Sequence, residues 1–202
     1  MKVCIKEIRK PVQKRSIDKK NALLEAGLRL ISQKGLHHIN SKDIAKEAGV
    51  SIGSFYAYFK DKNTLFYELV QNYKDKTTFQ ENECLDSESP KEYIRTFLNT
   101  KLELAKQYPS AFHREIHYQR TRDQAIGQLY NDYKNAELKV FMALLNGISD
   151  YTNIKDTRTA SNLAFNVYEE MITSVLEISD EIEQQELLES YIELLTRYLF
   201  NQ

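Results

Sequence analysis

The residues best suited to chemistry are few. His113 and His117 stand four apart, so on a helix their imidazoles leave one face, with Glu115 between them in sequence. Such a pair is a metal-binding spacing, and with Glu115 it sketches a helical metal-dependent enzyme. Arg114, however, stands where the His-Glu-x-x-His pattern needs its glutamate, so the competing reading is two ordinary histidines and no metal. Cys4 and Cys84 are isolated thiols without Cys-x-x-Cys spacing, which writes neither a disulfide framework nor a zinc site. Acidic neighbours keep the Cys84 thiol protonated rather than reactive, and free thiols fit a reducing, cytoplasmic setting. No Gly-x-Ser-x-Gly, phosphate-binding loop or dinucleotide fingerprint occurs, so no catalytic residue and no cofactor is expected.

A second set of residues suits a polyanion. Residues 41–59 read SKDIAKEAGVSIGSFYAYF: two short helical patterns around Ala48-Gly49-Val50-Ser51. Small Ala45 permits a close helix crossing, Gly49 supplies the turn, Val50 locks the corner, and Ser51 caps the second helix. These are the requirements of a helix-turn-helix, whose second helix enters a DNA major groove. The same small residues also serve an ordinary helical hairpin.

Charge strengthens the first reading. The 202-residue chain has a formal net charge of −1, but residues 1–62 hold 14 Lys and Arg against 6 Asp and Glu, and residues 63–202 hold 14 against 23. A basic front of +8 thus precedes an acidic back of −9, a charge asymmetry typical of nucleic-acid binding. Residues 1–15 carry six of the basic residues and Pro11, and read as a flexible arm that either lies in a minor groove or is a solvated tail.

Helices must position these groups. Only 6 Gly and 3 Pro, with no convincing strand alternation, predict an all-α fold of eight or nine helices. The first is expected from a Ser16 cap to Gly35, with later ones capped by Asn40, Ser51 and Asp61. Residues 78–90 are polar and acidic and read as a loop. Further helical patterns run over 90–107, 110–119, 121–148, 156–178 and 183–200, with breaks at Pro109 and after Gly147. The longest apolar runs, such as 140–145, are far too short to cross a bilayer, so no membrane association is expected.

From Leu23 to Leu65 the chain closely resembles the DNA-binding domain of TetR/AcrR-family transcriptional regulators. The match runs through Leu24, Ala26, Leu30 and Gly35, then Asp43, Ile44, Ala45, Ala48, Gly49, Val50 and Ser51, then Gly53, Tyr56, Tyr58, Phe59, Lys62 and Leu65. The resemblance implies an arm over 1–15, a three-helix helix-turn-helix domain over 16–62, and a helical ligand-binding and dimerisation domain over 63–202. Departures from the usual family residues at Gly27, Ile31, Ile39, Asn40, Ile52 and Phe55 preserve the core and leave operator preference open. The implied partners are a palindromic double-stranded DNA operator, a second copy of the chain and a small organic effector, with repressor activity expected.

The expected DNA surface comprises Asn40, Ser41, Ser51, Ile52, Gly53, Ser54, Tyr56, Ala57, Tyr58 and Lys62. Lys62, in the first turn of its helix, joins a cation to the positive end of the helix dipole as a phosphate clamp, the part this lysine plays in the family. Tyr56, Tyr58, Ser41 and Ser54 offer hydroxyl donors to the backbone, leaving Ile52, Gly53, Ser54 and Ala57 to read bases. Residues 51–59 contain no charge, so the bidentate arginine-to-guanine contact is absent from this helix, and an A·T-leaning operator follows.

In the acidic half, apolar residues wrap more than one face of the last two helical patterns. Ala164, Tyr168, Met171, Ile172, Val175, Leu188, Tyr191, Leu195 and Tyr198 are expected at a dimer interface, against the alternative of two deeply buried core helices. For the effector pocket, position alone nominates Phe66, Tyr93, Phe97, Phe112, His113, His117, Tyr130, Tyr133, Phe165 and Tyr168; core packing is the competing role for each.

Overall fold

The computed structural model describes residues 14–78, 89–147 and 154–200, with backbone alone for 144–147. The arm over 1–13, Cys4, Cys84, the acidic loop over 79–88 and the break after Gly147 lie outside the described residues. Among the described residues the structure is all-helical: α1 (Lys14–Lys34), a 3-10 turn (Leu36–His38), α2 (Ser41–Glu47), α3 (Ile52–Tyr58), α4 (Lys62–Thr77), α5 (Pro90–Lys106), α6 (Ser110–Gln119), α7 (Gln124–Gly147), α8 (Thr157–Glu177) and α9 (Glu181–Leu199).

Local chemistry sets most of these boundaries. Asn40 accepts from the Lys42 and Asp43 amides while Asp43 returns a bond to the Asn40 amide, a reciprocal capping box. Ser51 caps α3 through the Ser54 amide, and Asp61 caps α4 through the Thr64 amide. Gly35 and Gly49 take φ of 78° and 66°, a region costly for side-chain-bearing residues, and so end α1 and turn the chain between α2 and α3. The expected Ser16 cap is corrected: the chain is already helical at Lys14, and the Ser16 hydroxyl instead meets the Tyr58 hydroxyl at 2.8 Å.

Two hydrophobic cores organise the helices, and they divide the chain differently from its charge. The first joins Leu23, Ala26 and Leu30 of α1 to Ile44, Phe55, Phe59, Leu65 and Phe66, then extends to Tyr108, Phe112, Ile116 and Ile126. Helix α6 and the start of α7 therefore pack with the helix-turn-helix. At the crossing of α1 and α4, a Cβ on Gly27 would stand 2.4 Å from Leu65 Cδ2, so a side chain at this position would require the end of Leu65 to shift. The second core is built by α5, α7, α8 and α9 around Phe97, Leu98, Phe141, Phe165, Met171 and Ile192.

This second core corrects the expected dimer surface. Ala164, Tyr168, Met171, Ile172, Val175, Leu188 and Leu195 are buried inside the single chain, because α8 is flanked by α7 and α9 and also meets α5 and α6. Their two-sided apolar pattern reflects neighbours within one chain. Tyr191 is half-buried, and Tyr198, with Leu163 and Leu194, is exposed.

A buried ion pair ties α5 to α7 beside the end of α4. Lys101 Nζ lies 2.9 and 3.0 Å from the Glu137 carboxylate oxygens and also donates to the Thr77 carbonyl. Both side chains are almost wholly buried. Burial drives the Lys101 ammonium below the usual lysine range, and Glu137 opposes that shift. Breaking such a pair strands a charge, so Lys101→Met is expected to cost about 3–5 kcal/mol in urea denaturation. The paired variant Lys101→Met/Glu137→Leu should recover most of that loss.

Candidate nucleic-acid interface and effector crevice

The helix-turn-helix presents a sharply divided surface. Phe55 and Phe59 of the α3 segment point into the core, while Ser51, Gly53, Tyr56 and Ala57 are exposed and Ile52, Ser54 and Tyr58 are half-buried. Tyr56, 56% exposed, is the large side chain that α3 offers outward, and its ring meets Phe55 edge-on at 5.5 Å. Elsewhere on the domain, Lys14, Arg15 and Lys19 on α1, Lys42 and Lys46 on α2, and Lys60 are exposed cations. Asn40 is exposed and Ser41 half-buried at the start of α2. Of the groups expected to carry base reading, Gly53 and Ala57 are small and exposed, Ser54 is half-buried and Ile52 packs against the first core; none is charged, and the exposed cations lie on neighbouring elements.

Two expected contacts are engaged internally. Lys62 Nζ donates to the Leu36 carbonyl at 2.7 Å and the Ile39 carbonyl at 2.9 Å, stapling the start of α4 to the segment that enters α2. Two of its three donors are therefore spent on the protein. The Tyr58 hydroxyl is held by Ser16 and orients α3 against α1.

Where the two cores meet, α4, α6 and α8 leave a crevice of about 250 Å³ including its open mouth. Its walls are Tyr73 and Lys74 of α4, His113, Ile116 and His117 of α6, and Glu169, Ile172 and Thr173 of α8. Lys74 is almost wholly buried, yet its ammonium stands 3.6 Å from Glu169 Oε1, long for a charge-assisted hydrogen bond. Ring faces surround it: Tyr133 at 3.9 Å, Tyr73 at 5.1 Å and Tyr130 at 5.2 Å. Burial drives its pKa down, with Glu169 and Glu137 opposing. Tyr130 donates to Glu169 Oε2 at 3.1 Å, and the Tyr133 and Tyr168 hydroxyls lie 3.0 Å apart. Burial raises the pKa values of Tyr73, Tyr130, Tyr133 and Tyr168, so these phenols stay protonated.

Of the residues nominated for the pocket, His113 and His117 line the crevice, and Tyr130 and Tyr133 pack their rings against Lys74, one of its walls. Tyr168 sits behind them through Tyr133. Phe66 and Phe112 fill the first core, while Phe97 and Phe165 fill the second, with Tyr93 against its edge. Sequence reasoning missed Tyr73, Lys74, Ile116, Glu169 and Thr173, and placed Ile172 at the dimer interface. A signal was present: Lys74, Lys101 and Glu137 occupy the apolar stripes of their helices, in register with Val70, Leu98 and Tyr133, and a charge at such a position marks a buried polar network.

The metal reading is corrected by helix geometry. His113 and His117 face the crevice, but Glu115, two residues from each, points to the opposite side of α6, where it accepts from Gln119 at 2.8 Å and lies near Gly35. Among the described residues no three His, Cys, Asp or Glu side chains converge as a metal would need. His113 instead hydrogen-bonds the Ala105 carbonyl at 3.1 Å.

Comparison with known proteins agrees with this geometry. Residues 23–69 match the model for bacterial regulatory proteins of the tetR family. The HTH-type transcriptional regulator RutR of Escherichia coli is 31% identical over 93 residues, 46% of this chain and 44% of its own. AcrR of Shigella flexneri is 47% identical over 47 residues, 23% of this chain and 22% of its own. The chain thus spans less than half the length of these curated relatives. Over nearly the whole chain the fold is shared with the Bacillus subtilis regulator FadR, solved with stearoyl-CoA, at 20% identity and a TM-score of 0.69, covering 87% of this chain and 97% of that one.

Two outcomes test these placements. Lys62→Ala is expected to lower stability by about 1–3 kcal/mol in urea denaturation, because it deprives two carbonyls of a charged donor. A fall of about 1 per half-site in the salt dependence of DNA affinity with no loss of stability would restore the phosphate role. Burial lowers the His113 pKa from 6.5 to about 4, so below pH 6.5 the unfolded chain binds a proton that the folded chain refuses. Stability at this site is therefore complete above pH 6.5 and falls as pH drops towards 4. In thermal melts across that window, His113→Gln should show a shallower decline than the parent.

Proposed function

We propose, for a chain that belongs through residues 23–69 to the tetR family of bacterial regulatory proteins, that it is an effector-responsive transcription factor. It holds a palindromic operator as a homodimer, most simply as a repressor, and a small organic molecule releases it. The setting is cytoplasmic, where operator DNA is found; no helix among the described residues is long and apolar enough to cross a membrane. The protein acts by binding, with no chemical step of its own.

One observation carries this reading. Helices α4 and α6 each contribute both to the core of the helix-turn-helix and to the crevice: on α4, Leu65, Phe66 and Tyr73 are in that core while Tyr73 and Lys74 line the crevice, and on α6, Phe112 and Ile116 are in that core while His113, Ile116 and His117 line the crevice. A molecule entering the crevice therefore pushes on the elements that hold α3. Such coupling works by differential affinity, the effector favouring a conformation in which two recognition helices no longer fit successive major grooves. The stearoyl-CoA complex of FadR supports ligand response in a fold of this kind. NalD of Pseudomonas aeruginosa, described as the secondary repressor of a multidrug efflux pump and sharing the fold at a TM-score of 0.70 and 19% identity, covering 93% of this chain and 99% of that one, supports the repressor sense.

Dimerisation is assigned to the outward faces of α8 and α9. Leu163 is 44% exposed, Leu194 52% and Tyr198 37%, and half-buried Val167, Leu187 and Tyr191 extend the same stripes. Two such faces form a four-helix interface across a two-fold axis. The uncharged outward face of α3 supports an A·T-leaning operator read through thymine methyl groups.

Selection from a random duplex library with the full chain should return an inverted repeat, bound as a dimer in sedimentation. Leu194→Glu should yield a monomer in sedimentation, with an unchanged thermal melt and operator affinity weakened by at least about 10-fold. Recovery of a G·C core contacted by α3 would overturn the base-reading assignment, and failure to enrich any duplex would overturn the function.

A further inference from the structure

The two buried ammonium groups near the junction of the cores are treated very differently. Lys101 has both Glu137 oxygens within 3.0 Å and the Thr77 carbonyl besides. Lys74, equally buried, has one carboxylate oxygen at 3.6 Å and otherwise tyrosine faces, although its three donors need acceptors. Glu169 cannot close on it freely, because its other oxygen is held by Tyr130 on α7. Lys74 thus faces the crevice with hydrogen-bonding capacity unspent.

We propose that the crevice is a site for a small organic monocarboxylate, with Lys74 as its anchor and Glu169 as the internal carboxylate that the ligand supplants. This rests on the effector-release reading and names the chemical class of the effector. Charge selects the anion. The groups around Lys74 are Glu169 and the cation Arg120, whose guanidinium lies 4.8 Å from the Tyr130 ring centre, while Lys101 and Glu137 cancel each other. His113 and His117 are held neutral by burial, and Glu170 is exposed. One positive charge therefore remains over, enough for a carboxylate and too little for a phosphate dianion. An organic ammonium would meet two cations, and a neutral amide would lack the charge.

The remaining walls describe the rest of the molecule. Among the described residues His117 has no hydrogen-bond partner, so it can share the carboxylate with Lys74, while Ile116 and Ile172 offer an apolar surface to a short hydrocarbon or aromatic body. The enclosed part of the crevice has room for about one water molecule, so the carboxylate enters only by displacing Glu169 from Lys74, with the apolar body lying toward the open mouth. When the carboxylate takes Lys74 from its tyrosine box, the ammonium shifts on the last turns of α4, the helix whose first half supports α3.

Calorimetric titration of the full chain with benzoate and hexanoate, against benzamide, benzylamine and inorganic phosphate, tests the assignment. Benzoate or hexanoate should bind at about millimolar strength or better, and the three comparison compounds at least about 10-fold more weakly. Glu169→Gln, which removes the competing carboxylate, should tighten benzoate about 10-fold, and the charge-matched Lys74→Met/Glu169→Gln should abolish binding while keeping a cooperative thermal melt. Equal binding of benzamide, preference for benzylamine or phosphate, or no carboxylate binding in Glu169→Gln up to about 20 mM would overturn the proposal. Gel shifts with the selected operator, on the same preparations, separate the two claims. Intact carboxylate binding without operator binding removes the regulator reading alone; operator binding without a Lys74-dependent carboxylate site removes this one alone.

Discussion

The ammonium of Lys74, buried among three tyrosine rings with its carboxylate partner a little too far away, is the interaction on which the rest of the molecule turns. It sits on α4 where the core of the helix-turn-helix gives way to the core of the carboxy-terminal helices. A buried ammonium is costly unless its donors are met, so Tyr73, Tyr130, Tyr133 and Glu169 are drawn from three helices to one point. The Lys101–Glu137 pair fixes α5 to α7 one turn further on and reaches back to Thr77 at the end of α4. Together the two lysines make a polar seam between two apolar bodies. Such a seam specifies one docking geometry, because sliding either body would strand a charge.

The consequence is a molecule whose two cores are bridged by helices rather than by loops. Helix α4 begins at Asp61 beside the recognition helix and ends in the seam, and α6 shows Phe112 to the first core and His113 to the crevice. Close packing leaves little freedom for a change at one end to be absorbed locally. Lys62 strengthens the same chain of connection by clamping two carbonyls ahead of α2, and Tyr58 does so by holding Ser16 of α1. Helix α3 is thereby tied to α1 through Tyr58 while its outer face, with Tyr56 at its centre, stays uncharged.

Much of the amino-terminal organisation was legible because it is local. A cap, a turn glycine and an apolar spacing act within a few residues of one another, so Asn40, Gly49, Ser51 and Asp61 announce their helices in the order met. The metal pair at His113 and His117 failed for an equally local reason, since Glu115 must leave the helix on the opposite side. Seven of the nine expected dimer residues are buried within the chain for a long-range reason. A two-sided apolar helix tells that it has neighbours and not which chain supplies them, and here α5 and α7 took the place assigned to a second copy.

The amino-acid sequence by itself determined the helices, the caps at Asn40, Ser51 and Asp61, the helix-turn-helix with its uncharged second helix, and the division of charge between front and back. Only the tertiary structure decided that Lys62 turns inward, that α6 belongs with the amino-terminal core, and that Lys74 rather than any nominated aromatic is the centre of the crevice. The physical reason is the range of the forces involved. Backbone hydrogen bonds and amphipathic spacing are settled over one or two turns, whereas satisfying a buried charge requires partners some 35 to 95 residues away, and sequence spacing carries no record of which will arrive.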